Sequence, residues 1–195
     1  MLKSSPEGEF NLLVTEANLA FSQGKFHDGH TALAQISNVA GKLNLKETAA
    51  DTFASAALFE AFIGKPKDAA RDAENAISMS RAPIATLRAA AARALAGFSA
   101  NAQALSPPVE QQRRDDELVQ SIFGPSVQAA TLVSRGNPTG AIDVLQKASP
   151  YDNNTVVLFL RATAYLKAHR ASEASTRSLT GACTAWSRTR SRPYR

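Results

Sequence analysis

Four glycines, Gly24, Gly64, Gly97 and Gly136, are each followed five residues later by a small residue: Gly29, Ala69, Ala102 and Ala141. A degenerate fifth copy reads His169 and then Ala174. The steps between these marks are 40, 33, 39 and 33 residues. A unit of that length, with a glycine at the turn and a small residue where two helices cross, cannot bury its apolar face alone and must stack on its neighbours. The register therefore predicts an all-α chain of about four and a half antiparallel hairpins, a fold that presents a surface for binding rather than a vessel for a reaction.

Composition agrees. Alanine dominates the apolar residues of this 195-residue chain, and β-branched and aromatic residues are sparse. Alanine is the strongest helix former and lets helices approach closely. Apolar periodicity places helices over 9–23, 26–40, 46–63, 66–79, 82–96, 116–135, 139–148 and 154–167. Gly41 stands where a C-terminal cap of the second helix belongs. Residues 99–105 read as a short helix ended by Ser106-Pro107-Pro108. The charged run 110–116 reads as a loop or frayed helix end. Gly124-Pro125 predicts a kink.

The marks also carry the pattern of a known repeat. With Gly136 as the turn, the helix-crossing and interlocking positions are Ala129, Ala141, Leu145 and Ala148. With Gly64 they are Ala57, Ala69, Ala73 and Ala76, and with Gly24 they are Ala17, Gly29, Leu33 and Ile36. In the Gly97 copy the pattern decays after Ala102, where Ser106 and Val109 stand instead. This spacing resembles the tetratricopeptide repeat (TPR). The stretches RGNPTGAIDVLQKASPY (135–151), FLRATAYL (159–166) and LKETAA (45–50) resemble, more closely, the tetratricopeptide region that follows the catalytic or DNA-binding module of bacterial, notably acidobacterial, serine/threonine protein kinases and winged-helix regulators. The resemblance implies a TPR-like right-handed helical-hairpin solenoid with a protein-binding, scaffold or sensory role. It does not carry kinase activity over. The chain has no glycine-rich phosphate loop with its lysine, no His-Arg-Asp loop and no Asp-Phe-Gly.

The net charge of +5 is not a property of the whole chain. Residues 1–174 balance. The last 21 residues hold Arg177, Arg188, Arg190, Arg192 and Arg195, no acid, and the only cysteine and tryptophan, Cys183 and Trp186. The expected organisation is a disordered stretch over 1–8, a repeat domain over 9–174 and a basic irregular tail over 175–195. Two readings of the tail stay open: a nucleic-acid- or anionic-membrane-binding arm, or text from a shifted reading frame. A repeat array that breaks off inside a hairpin at Ala174 would also leave an apolar face on 154–167, which suggests self-association. One cysteine excludes an internal disulfide. The N-terminus lacks a signal-peptide run, and no stretch is apolar enough to span a bilayer, so the expected location is cytoplasmic.

No constellation points to catalysis, a cofactor or a metal. His27 and His30 are spaced i, i+3, but a metal site needs three or four ligands. The only other histidine is His169, so the pair reads as surface histidines. The cluster Arg113-Arg114-Asp115-Asp116 reads as solvated charge, and Phe53, Phe59 and Phe62 as core. The functional surface expected of such a fold is the concave groove lined by the first helix of each hairpin. Projecting the register gives Asn11, Asn18, Asp51, Leu58, Leu87, Ala91, Ser126, Ala130 and Thr163 as groove residues. That face is expected to be small and uncharged. It lacks the cations of a clamp for acidic peptide tails, because Val14 and Asp51 stand where they would be needed. The occupant would be a peptide, a helix or a neighbouring domain.

Overall fold

The computed structural model describes residues 5–151 and 154–170, and these are helical without strands. The helices are α1 (Pro6–Ser22), α2 (Phe26–Ala40), α3 (Lys46–Phe62), α4 (Pro66–Met79), α5 (Pro83–Leu95), α6 (Ser99–Gln112), α7 (Gly124–Ser134), α8 (Pro138–Leu145) and α9 (Thr155–Lys167). A π-helical turn, Val119–Phe123, leads into α7, and a 3-10 turn, Gln146–Tyr151, follows α8. The basic tail, with its five arginines and Cys183, and Ala174 before it lie outside the described residues.

All five register marks are left-handed residues. Gly24, Gly64, Gly97 and Gly136 have φ of 74°, 78°, 96° and 77°, and His169 has φ 58°. Each closes a helix in the same way. The amide after the mark donates back to the carbonyl five residues earlier, as in Lys25 N to Ala20 O, Lys65 N to Glu60 O, and Arg170 N to Tyr165 O. The mark's own amide donates to the carbonyl three residues earlier. This is a Schellman closure, which satisfies the last carbonyls of a helix and needs a residue that tolerates positive φ. The second helix departs from expectation. Gly41 is right-handed (φ −67°), and the left-handed residue is Asn44 (φ 57°), whose following amide, Leu45 N, returns to Ala40 O.

The positions five residues after the marks are buried, because the partner helix passes over them. Gly29, Ala69, Ala102 and Ala141 are all in the core, as are Ala17, Ala57, Ala90 and Ala129 on the facing helices. Within each hairpin α1 packs on α2, α3 on α4, α5 on α6 and α7 on α8. The odd-numbered helices also pack side by side, α1 on α3, α3 on α5, α5 on α7 and α7 on α9. This row curves enough that α9 touches α3, where Phe62 stacks on Phe159 with ring centroids 5.1 Å apart.

Three boundaries differ from the sequence expectation, each for a local reason. Residues 6–8 are not disordered but form the first turn of α1, with Pro6 at its first position and Ser5 Oγ accepting from Gly8 N at 3.1 Å. The Pro107-Pro108 pair does not end its helix. Both prolines face solvent, as do Gln103 and Ala104, whose carbonyls lose their helical donors there, so water can take the donors' place. The run 110–112 stays helical, and Gln120 Nε2 donates to Glu110 O at 2.9 Å and Arg113 O at 3.1 Å, satisfying the end of α6. The expected kink at Gly124-Pro125 takes the form of the π-turn just before it, a common way to absorb a missing donor. Asp116, read as solvated charge, caps that segment by accepting from Leu118 N and Val119 N.

Candidate binding groove and a buried polar cluster

Two adjoining cavities lie along the inner side of the odd-numbered helices. One, of about 460 Å³, has a polar floor from Asn18, Thr48, Asp51, Ser55 and Arg88. The other, of about 370 Å³, shares Asn18, Ser55 and Arg88, and is closed by the apolar Leu58, Phe59, Phe62, Val156 and Phe159. Arg88 of α5 stands between them. Its Nη1 donates to Asp51 Oδ1 of α3 and to Ser55 Oγ at 3.4 Å, and its guanidinium lies 5.2 Å from the Phe123 ring centre. A guanidinium held by a carboxylate, a hydroxyl and an aromatic face is fixed in position, whereas a lone surface arginine is not.

The residues projected onto the groove divide. Asn18, Asp51 and Leu58 line the cavities. Asn11 is exposed and Thr163 half-buried, but neither borders them. Leu87, Ala91, Ser126 and Ala130 are in the core, all at most 1 % exposed. The projection treated the inner face of each first helix as open, yet α5 is packed on α3, α4, α6, α7 and the π-turn at once. Of α5, the residues that line the cavities are Arg88 and, at its first turn, Pro83, Ile84 and Ala85. The groove is accordingly neither uniformly small nor uncharged. Phe59 and Phe62, read as core, are half-buried and form its apolar end. Arg88, Phe62 and Phe159, outside the projected set, line the groove as well.

A second feature departs further from expectation. His27 is exposed, but His30 is not a surface histidine like it. His30 Nε2 lies 2.7 Å from Glu60 Oε1 of α3 and 3.2 Å from Asp72 Oδ2 of α4, and the two carboxylates are 0 % and 3 % exposed. Arg71 Nε donates to Asp72 Oδ1 at 3.0 Å, Arg71 Nη1 bonds Asp68 at 2.9 Å, and Arg71 Nη2 lies 3.0 Å from His30 Nε2. Phe21 holds the imidazole edge-on at 5.3 Å. Burial, and then the Asp72 carboxylate, push the Glu60 carboxyl up to about 8. Part of its signal was in the sequence: Glu60 interrupts the apolar run Ala56-Ala57-Leu58-Phe59 and Ala61-Phe62-Ile63, and a polar group in such a run is more informative than its apolar neighbours.

No helix among the described residues is long and apolar enough to cross a membrane. No family model, no curated protein and no solved structure matches the chain.

Proposed function

We propose that this chain is a TPR-like right-handed solenoid whose inner groove binds an extended segment of another protein, as a scaffold or sensory element without chemistry of its own. The observation that carries the reading is the groove itself, where a polar cavity and an aromatic one adjoin at a pinned arginine. Five identical left-handed helix closures and the side-by-side packing of alternate helices support the repeat architecture. The occupant is a peptide with one large apolar side chain. That side chain fills the pocket of Phe59, Phe62 and Phe159, while the peptide's amides meet Asn18, Ser55 and Asp51, which offer both donors and acceptors. The anchor supplies affinity by apolar burial, and the polar cavity fixes direction.

Selection of a random peptide library on the purified chain, followed by affinity measurement on Phe159→Ala and Asn18→Ala variants, tests this. The expected result is a recurrent motif built around one aromatic or long aliphatic residue, with at least tenfold weaker binding to Phe159→Ala. Failure to enrich any motif, or enriched peptides that bind both variants as well as the parent, would overturn the reading.

A further inference from the structure

We propose that His30, Glu60 and Asp72 form a divalent transition-metal site, zinc being the ion that fits best, which pins α2 of the first hairpin to α3 and α4 of the second. The three residues come from three different helices, yet one ligand atom from each lies within 4.8 Å of the others. His30 Nε2 and Asp72 Oδ2 are 3.2 Å apart, close to the roughly 3.3 Å that separates two ligands of a tetrahedral ion with bonds of about 2.0–2.1 Å. Glu60 Oε1, at 2.7 Å from Nε2, needs to retreat by about 0.6 Å to meet the same geometry.

Two further observations point to an ion and not merely to a polar cluster. Glu60 Oε2 is buried without a hydrogen-bond partner, and Asp72 Oδ2 has no hydrogen bond and only its 3.2 Å approach to His30 Nε2, on side chains that are almost wholly enclosed. Buried polar oxygens of this kind are costly unless something pairs with them. The remaining oxygen of Asp72 is already held by Arg71 Nε at 3.0 Å, the arrangement by which a second shell orients a ligating carboxylate. Charge also closes. Two carboxylates and a divalent cation are neutral together, and Arg71, which is half exposed and whose Nη2 lies 3.0 Å from His30 Nε2, must swing off that nitrogen as the ion enters, toward Asp68, which it already holds on the solvent side.

The ligand set selects the class of ion. One imidazole and two carboxylates suit zinc and its neighbours in the first transition row. Calcium and magnesium want six or more oxygens, which two enclosed carboxylates do not supply. His30 is 31 % exposed, so the ion and a water as fourth ligand enter from that side.

The test uses the full chain after dialysis against chelator. Zinc is titrated in competition with a chromophoric chelator, cobalt(II) is added for its visible absorption, and the histidine ring nitrogens are followed by nitrogen-15 NMR. The expected outcome is one zinc per chain, intense tetrahedral cobalt bands, and a zinc-induced shift of the His30 Nε2 resonance with His27 and His169 unmoved. At a hundredfold excess over the Kd, zinc should raise Tm by about 5–10 °C. His30→Gln and Asp72→Asn should each weaken zinc by more than about tenfold, and His27→Gln should leave it unchanged. The NMR readout on the parent chain stands even if a variant fails to fold. Absence of stoichiometric binding, binding that survives His30→Gln in a folded variant, or a shift of His27 or His169 instead would overturn the proposal. The trio would then be a closed ion network only.

Discussion

The crossing of α1 and α2 offers a sharp test of why the register demands small residues. Five residues after its turn, the first hairpin has Gly29 where the next three have alanine. A Cβ on Gly29 would lie 2.7, 2.9 and 3.0 Å from three ring atoms of Phe21. That ring cannot swing away cheaply, because it is 3 % exposed and wedged edge-on against both Phe26 and His30. The residue equivalent to Phe21 is Ala61, Ala94 and Val133 in the later hairpins. A bulky residue and a glycine thus occur together once, and smaller residues with alanine elsewhere. Gly29→Ala alone should gain about 1 kcal/mol of helix propensity and lose about 1–3 kcal/mol to overpacking, for a net change of about 0–2 kcal/mol destabilising. In a Phe21→Val background, which copies the Val133/Ala141 pairing, only the propensity gain remains, so the same substitution should stabilise by about 1 kcal/mol. Phe21→Val itself should cost less than the roughly 3–5 kcal/mol of truncation to alanine. Urea unfolding of the four proteins with a common m-value gives the coupling, expected at about 1–3 kcal/mol. Additivity within about 0.5 kcal/mol would refute the idea that Phe21 dictates the glycine.

Three other outcomes follow from particular side chains. The folded state holds the Glu60 proton more tightly than the unfolded chain does (about 8 against 4.5), so its stabilising contribution is full below about pH 4.5 and is lost as pH rises through about 8. Glu60→Gln, which mimics the protonated acid, should match the parent in chelator near pH 4.5 and exceed it by about 3 kcal/mol at pH 7, at 1.36 kcal/mol per unit; urea melts that show a pH-independent difference would contradict this. Gly64 has φ 78° and open space around its missing Cβ, so Gly64→Ala should cost about 1–2 kcal/mol of backbone strain alone, and Gly64→Asn distinctly less, by thermal or urea melts. Asn154 accepts from Val156 N and Val157 N at the start of α9, and Asn154→Ala should cost about 1 kcal/mol, visible as earlier loss of amide exchange protection in α9 than in α3.

Sequence reading reached the hairpins because their turns depend on local chemistry. A left-handed closure needs Gly, or at His169 a tolerated exception, and that requirement is written at one position. Helix α4 was placed at its observed limits, Pro66–Met79, since a proline opens it and a break in periodicity closes it. What failed was whatever depends on neighbours distant in the chain. Pro107-Pro108 break a helix unless they face water, and which way they face is set by how α6 lies on α5 and α7. Leu87 and Ala91 were assigned to the groove because a helical wheel cannot know that α5 has partners on every side. Glu60 stands out in its apolar run, but it and Asp72 lie 30 and 42 positions from His30, so no local spacing joins the three.

The stacking of Phe62 on Phe159 ties the last described helix to the second hairpin, past everything between them. A helix held by a single neighbour opens locally at little cost, whereas one with a second, distant contact does not. Here α9 supplies Val156 and Phe159 to the cavity and cannot fray without prising open its aromatic end. Occupancy of that cavity and order in α9 are therefore one equilibrium. On the proposed peptide-binding reading, a guest that wedges the two rings apart loosens α9, and one that spans them tightens it, so what the cavity holds sets how firmly that helix is closed.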